Sequence, residues 1–129
     1  MHFLDAYYLG GWCTMKKLKI EDNTEGFSDS QEPFFGYTLS IISGKWKLLI
    51  IYHLSKNGTV RYNELQRMLG KITYKTLSTT LKEMQNDGLV HREEYPQIPP
   101  KVEYSLTEKG QSLWPIIQEM CQWGEYNKD

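Results

Sequence analysis

Two short amphipathic segments, joined by a very short connection, constrain the fold of this chain more than any other feature. The first, NELQRML, is predicted to be a helix capped by Asn63, with Gln66 completing a capping box. The second, YKTLSTTLKEMQND, is predicted to be a helix capped by Thr73. Gly70 ends the first helix, so only Lys71 and the residue after it remain to join the two. Two helices joined this closely must pack against each other at a steep angle.

A β-hairpin is predicted directly after the second helix. Alternating segments from Val90 to Tyr95 and from Lys101 to Leu106 flank a tip that holds three prolines. Proline cannot donate to a β ladder, so these residues stiffen the tip and keep it out of the sheet. Two capped helices followed by a hairpin are typical of a winged helix-turn-helix. The predicted fold class is therefore mainly α with a small β-hairpin (α+β).

Further helices are predicted on both sides of this unit. A short apolar helix begins at Pro33, and an amphipathic helix, KWKLLIIYHLS, follows it with an apolar stripe that includes Leu49 and His53. A short extension, Val60–Arg61, leads into the two capped helices. After the hairpin, Thr107 is predicted to cap one last helix that Pro115 bends.

The apolar residues of that last helix cover about half of its circumference, which is more than one small core requires. They are Leu113, Trp114, Ile116, Ile117, Met120, Cys121 and Trp123. The excess favours a second buried surface, most simply a twofold partner, over a helix buried centrally in a monomer. The predicted organisation is a flexible arm over residues 1–32 and one domain over residues 33–126. Because MKKLKIEDN reads as a natural start at Met15, residues 1–14 are interpreted as an upstream or added extension.

Size and composition exclude several classes of protein. The chain has 129 residues, 40% of them hydrophobic, which allows one domain with a core. It holds no apolar run of about 18 residues, so no membrane span is expected. Cys13 and Cys121 are its two cysteines, which argues against a disulfide framework and fits a reducing cytoplasm. Cys121 stands among apolar residues and is predicted to be an inert, buried thiol.

The distribution of charge allows a polyanionic partner although the net charge is only −1, but charge alone leaves equally open that the charges neutralise each other across the folded surface. Residues 43–92 carry nine Lys/Arg against three Asp/Glu, between two acidic flanks. On the second capped helix, Tyr74 and the leucines are predicted to face inward, and the opposite edge is polar, cationic and free of carboxylates. Such an edge can enter a DNA major groove. The predicted DNA-binding residues are Lys75, Thr76, Ser78, Thr79 and Lys82 on this helix, Arg61, Tyr62 and Lys71 around it, and Lys101 on the wing.

Three sequence segments resemble a known family. They are ISGKWKLLIIYHL, RYNELQRMLGKITYKTLSTTLKEMQNDGLV and YPQIPPKVEYSLTEKGQSLWPIIQEMCQWGE. Together they are similar to the HxlR-type transcriptional regulators of bacteria, relatives of the MarR group. The resemblance implies a winged-helix homodimer, built by N- and C-terminal helices, that binds an inverted-repeat operator. Some members sense oxidants with a cysteine ahead of the first helix. Pro33 stands at that position here, so the resemblance does not carry that sensor over.

Other functions remain as alternatives of unequal weight. The three histidines are scattered and have no metal-ligand spacing, so enzymatic activity, a metal site and a cofactor are not expected. A winged-helix module that binds another protein, without sequence-specific DNA binding, is the main alternative. The sequence leaves open whether an unidentified small-molecule effector gates the protein.

Overall fold

The computed structural model describes residues 31–129. The interpretation of residues 1–14, nearly all of the predicted arm, and Cys13 therefore lie outside the described residues. Residues Ser40–Asp129 form one compact unit. The domain boundary predicted after residue 32 stays a prediction.

The described elements follow the predicted order closely. The helices are α1 (Glu32–Ile42), α2 (Lys47–Asn57), α3 (Tyr62–Leu69), α4 (Tyr74–Asn86), α5 (Glu108–Gln111) and α6 (Trp114–Asn127), and the strands are β1 (Val60–Arg61), β2 (Val90–Tyr95) and β3 (Lys101–Leu106). Helices α3 and α4 form the helix-turn-helix, and β2 and β3 form the wing. The α+β winged-helix prediction is confirmed.

The sheet has three antiparallel strands in the order β1-β3-β2. The predicted Val60–Arg61 extension is strand β1, with Val60 opposite Tyr104. The hairpin pairs in full register from Val90 opposite Leu106 to Tyr95 opposite Lys101. Strand β1 runs directly into α3, so the sheet fixes the start of the helix-turn-helix relative to the wing.

One hydrophobic core holds α2, α3, α4, α6 and the sheet together. Its largest fully buried side chains are Ile50, Ile51, Leu54, Leu65, Leu77, Leu81, Met84 and Leu89. Full burial of a side chain of this size stabilises the fold by roughly 1.5–3 kcal/mol. Three of these residues lie on α4, and their burial decides which side of that helix faces water.

The core contacts of α2 differ in part from the predicted stripe. Ile51 is fully buried, whereas Leu49 is 40% exposed. His53 is half-buried, and its ring meets the Tyr52 ring edge-on at 5.4 Å. No single helix within residues 31–129 has the length and apolar composition to cross a membrane. Helices α1 and α2 meet both criteria only when they are counted as one segment, and that segment is bent.

The predicted capping box of α3 is wrong. The helix begins at Tyr62, with Arg61 as its N-cap and no side-chain cap. Gln66 instead reaches forward, and its Nε2 donates to the Ile72 carbonyl at 3.3 Å. The pairing of β1 with β3 determines where the helix begins, and this tertiary constraint overrides the local capping signal.

The single last helix that was predicted is two helices. Thr107 caps the short α5, its Oγ1 accepting from the Gly110 N–H at 3.1 Å, and the chain then turns before α6. Pro115 stands in the first turn of α6, where a missing N–H leaves no hydrogen bond unmade, so it starts a helix and does not bend one. Cys121 is exposed, contrary to the prediction of a buried thiol.

Candidate nucleic-acid interface

Helix α4 presents its polar edge to solvent. Thr73 caps it as predicted, its Oγ1 accepting from the Thr76 N–H at 3.1 Å. Leu77, Leu81 and Met84 are buried on the inner side. Lys75, Thr76, Thr79 and Lys82 are exposed, and Ser78 is half-buried. The outward placement of the predicted residues follows directly from the burial of the inner side.

Glu83, the one carboxylate within α4, is paired with a lysine of α2. Glu83 lies beside α2, where its Oε1 is 3.5 Å from Lys47 Nζ. Within residues 31–129, Lys75, Lys82 and Arg61 form no ion pair. Because no carboxylate of the described chain neutralises them, these cations can interact with an external anion.

A groove of about 690 Å³ runs between α4 and the wing. Four cationic side chains line it: Arg61, Lys82, Arg92 and Lys101. The other lining residues are Tyr62, Asn63, Tyr74, Ser78, Gln85, Pro99, Pro100, Val102 and Tyr104. None of the described residues that line the groove carries a carboxylate. The charged side chains that line the groove are therefore all cationic, and the groove lies next to the exposed edge of α4.

Tyr62 joins the two helices of the helix-turn-helix. Its hydroxyl donates to the Tyr74 carbonyl at 3.0 Å and lies 2.9 Å from Ser78 Oγ. Because the phenol has one proton, Ser78 donates the second hydrogen bond. Removal from water raises the pKa of the Tyr62 phenol, with the Ser78 hydrogen bond acting in the opposite direction, so the hydroxyl keeps its proton at neutral pH. The two hydrogen bonds of the Tyr62 hydroxyl thus link α3 to α4.

Tyr74 departs from its predicted inward position. It is 68% exposed, lines the groove, and its ring lies 5.2 Å from the Tyr62 ring. As the first residue of α4 it lies at the end of the helix, beyond the leucines that pack into the core. The sequence did show that Tyr74 directly follows the capping residue Thr73, which puts it at the end of the helix. The prediction considered helical periodicity alone and grouped Tyr74 with the buried leucines.

The cations of the wing are held by neighbours within the hairpin. Lys101 Nζ lies 3.2 Å from Glu103 Oε2 and 4.7 Å from the centre of the Tyr95 ring. Arg92 Nη1 lies 3.2 Å from Glu94 Oε1. The hydrogen bond to Tyr104 is the main cause that raises the pKa of Arg92 further above its ordinary value. The side chains are preorganised toward the groove, and part of their charge is compensated.

The structure brings five of the nine predicted DNA-binding residues into the groove: Arg61, Tyr62, Ser78, Lys82 and Lys101. Lys75, Thr76 and Thr79 lie outside it on the exposed side of α4, and Lys71 is exposed in the connection between α3 and α4. Gln85 and Asn63 line the groove but were not predicted. Asn63 was interpreted as a helix cap, and Gln85 continues the row of Ser78 and Lys82 by one helical turn, which is the signal that could have found it.

This chain is similar to known helix-turn-helix proteins. A family model described as HxlR-like helix-turn-helix matches residues 41–129. An uncharacterised helix-turn-helix transcriptional regulator of Halalkalibacterium halodurans is 59% identical over 99 residues, which cover 77% of this chain and 88% of that protein. Another such regulator, YdeP of Bacillus subtilis, is 52% identical over 114 residues, covering 88% and 86%. The solved structure of the redox regulator HypR in its oxidised form is 49% identical, with a TM-score of 0.68 over 74% of this chain and 97% of that one.

Proposed function

The chain belongs to the HxlR-like helix-turn-helix family of DNA-binding transcriptional regulators, and we propose that it binds an inverted-repeat operator as a homodimer. The observation that carries the proposal is the groove between α4 and the wing, with four cations and no lining carboxylate among the described residues. Members of this family are regulators and not enzymes. We place the site of action in the cytoplasm, where a regulator meets its DNA.

Helix α4 fits the major groove in size and chemistry. An α-helix with side chains is about 10–12 Å wide, and the major groove of B-DNA is about 12 Å wide. Lys75, Thr79 and Lys82 lie on the exposed side and can donate to base edges or phosphates. Thr76 stands nearer the cap, where its hydroxyl lies 3.0 Å from that of Thr73, so it contributes less.

Residues around α4 are assigned to the sugar-phosphate backbone. Arg61 and Lys82 open into the same groove as Lys101 and Arg92 of the wing. A phosphate that enters this groove meets cations from both sides. Lys71, exposed just before α4, supplies a further contact. Tyr62 is assigned a supporting role, because its hydroxyl already bonds to Tyr74 and Ser78.

The proposed dimer places an apolar stripe of α6 against a second copy. Ile116, Met120 and Trp123 lie on one side of this helix and are 42%, 51% and 70% exposed. Large apolar side chains exposed in a row mark an interaction surface. A twofold partner buries the same stripe from both copies and presents two α4 helices to the two halves of a palindromic site.

The alternative, a winged-helix module that binds protein, is disfavoured by the same groove. Protein-binding surfaces have apolar, charge-depleted centres. Here the surface beside α4 carries Arg61 and Lys82, which form no ion pair within residues 31–129. The large exposed apolar residues of α6 lie on another element.

The test is binding to the duplex that the wild-type protein enriches from a randomised library. Lys75→Ala combined with Lys82→Ala is expected to abolish specific binding and to flatten the plot of log K against log salt by about two units per protomer, because each lost phosphate contact removes about 0.9. The charge-matched control is Lys56→Ala with Lys128→Ala, which lie outside the groove and the exposed side of α4. Equal affinity and equal slope in both double variants would overturn the assignment of α4.

A further inference from the structure

We propose that the tip of the wing contacts the DNA minor groove through an apolar side chain, Ile98, and not through charge. This inference rests on the proposed function, since it concerns how the same surface meets DNA. The tip comprises residues 96–100 (PQIPP) between β2 and β3, all of them exposed. Ile98 is 100% exposed, more than any other large hydrophobic residue of the described chain.

The tip has no ionisable side chain of its own. The nearest lysine in sequence, Lys101, is already held by Glu103 and the Tyr95 ring. The prolines that follow Ile98 line the groove shared with α4, so the tip belongs to the same surface as the proposed DNA site. A DNA contact made here by residues 96–100 is therefore non-ionic.

The wing is long enough to reach past the major groove. Its base is fixed at the end of α4, where the Leu89 N–H donates to the Met84 carbonyl at 2.9 Å. Strand β2 has six residues. The distance from its first Cα to its last is roughly 17 Å, because each of the five steps between them adds about 3.4 Å. With α4 seated in a major groove about 12 Å wide, a tip at that distance passes the phosphate backbone and meets the adjacent minor groove.

An apolar side chain suits the minor groove for a physical reason. Proteins that bind there often place isoleucine, leucine or proline against its walls and between base steps. A G·C pair puts an amino group on the floor of the minor groove and an A·T pair does not, so an apolar wedge prefers A·T. Ile98 thereby adds a preference for A·T pairs beside each half-site.

Ile98→Ala tests this contact on the enriched duplex. The substitution removes three carbon atoms from a side chain that the proposed complex partly buries against DNA. It is expected to weaken binding about fivefold per half-site, while the salt slope stays at the wild-type value. Replacing the A·T pairs beside each half-site with G·C should weaken the wild type and leave Ile98→Ala nearly unaffected. Replacement with inosine·C, which has the minor-groove surface of A·T, should leave the wild type unaffected as well.

Gln97→Ala, at the same exposed tip, is the matched control and should bind as the wild type does. Unchanged affinity for Ile98→Ala, or a loss that comes with a flatter salt slope, overturns the apolar contact while the proposed function stands. Failure of the wild type to enrich any duplex removes the proposed function and this inference with it. Thermal unfolding of each variant verifies that the fold is intact, as expected for a fully exposed position.

Discussion

Tyr62 shows how a single hydroxyl sets the geometry of the helix-turn-helix. The phenol joins α3 to the first turn of α4 through the Tyr74 carbonyl and Ser78 Oγ. Tyr62 was predicted to contact the DNA backbone beside α4, and that role stays a prediction. Its hydrogen-bond partners within the protein could not be predicted, because they depend on the crossing of two helices and not on local periodicity.

Tyr62→Phe is expected to lower the free energy of unfolding by about 1 kcal/mol, since it removes two hydrogen bonds and leaves the ring contacts in place. Urea unfolding measures this change as a lower midpoint at constant slope. Tyr74→Phe is the control, since within the described chain its hydroxyl forms no recorded hydrogen bond, and it should shift the free energy by less than about 0.5 kcal/mol. A phosphate contact alone would instead reduce DNA affinity without any change in stability.

At the scale of elements, the joint between the wing and the last helices depends on Thr107 and Gly110. Thr107 Oγ1 lies 2.5 Å from the Gly88 carbonyl oxygen, and its backbone N–H donates to the Leu89 carbonyl at 3.0 Å. Gly110 packs so closely that a Cβ there would lie 2.2 Å from the Leu89 oxygen. The joint thus connects the end of α4, the base of the wing and the start of α5.

Gly110→Ala is expected to destabilise the protein by about 1–3 kcal/mol, because the added methyl group meets backbone that cannot move aside. Thermal or urea unfolding provides the measurement. Gln111→Ala, at the exposed neighbouring position of α5, should cost less than about 0.5 kcal/mol. Similar stabilities for the two variants would show that the joint relaxes around an added carbon.

The elements themselves were largely predictable from sequence, and their boundaries were less so. The order of the elements, the two hairpin strands and the Thr73 cap follow from periodicity and local hydrogen-bonding chemistry. The start of α3 could not be predicted, because the pairing of β1 with β3 fixes it. The break before α6 could not be predicted either, because the chain turns between α5 and α6, just before Pro115. The exposed edge of α4 was predictable because three buried side chains define it, whereas the groove required the wing to be placed beside it.

At the scale of the whole molecule, the exposed apolar stripe of α6 predicts association. Met120→Glu is expected to raise the dimer dissociation constant roughly a hundredfold or more, because a charge would be buried in the interface. Sedimentation equilibrium measures this change, and far-ultraviolet circular dichroism verifies the fold. Gln118→Glu, on the opposite side of α6, adds the same charge and should leave the dimer intact. A wild-type protein that is monomeric at all concentrations would contradict the proposed assembly.

The proposed function requires that two α4 helices, related by a twofold axis, enter successive major grooves on one side of the duplex. Hydroxyl-radical protection mapping of the enriched duplex tests it most directly. Two protected segments with twofold symmetry are expected, their centres about 10 base pairs or a multiple of that apart. A single undivided segment, or protection without symmetry, would contradict it.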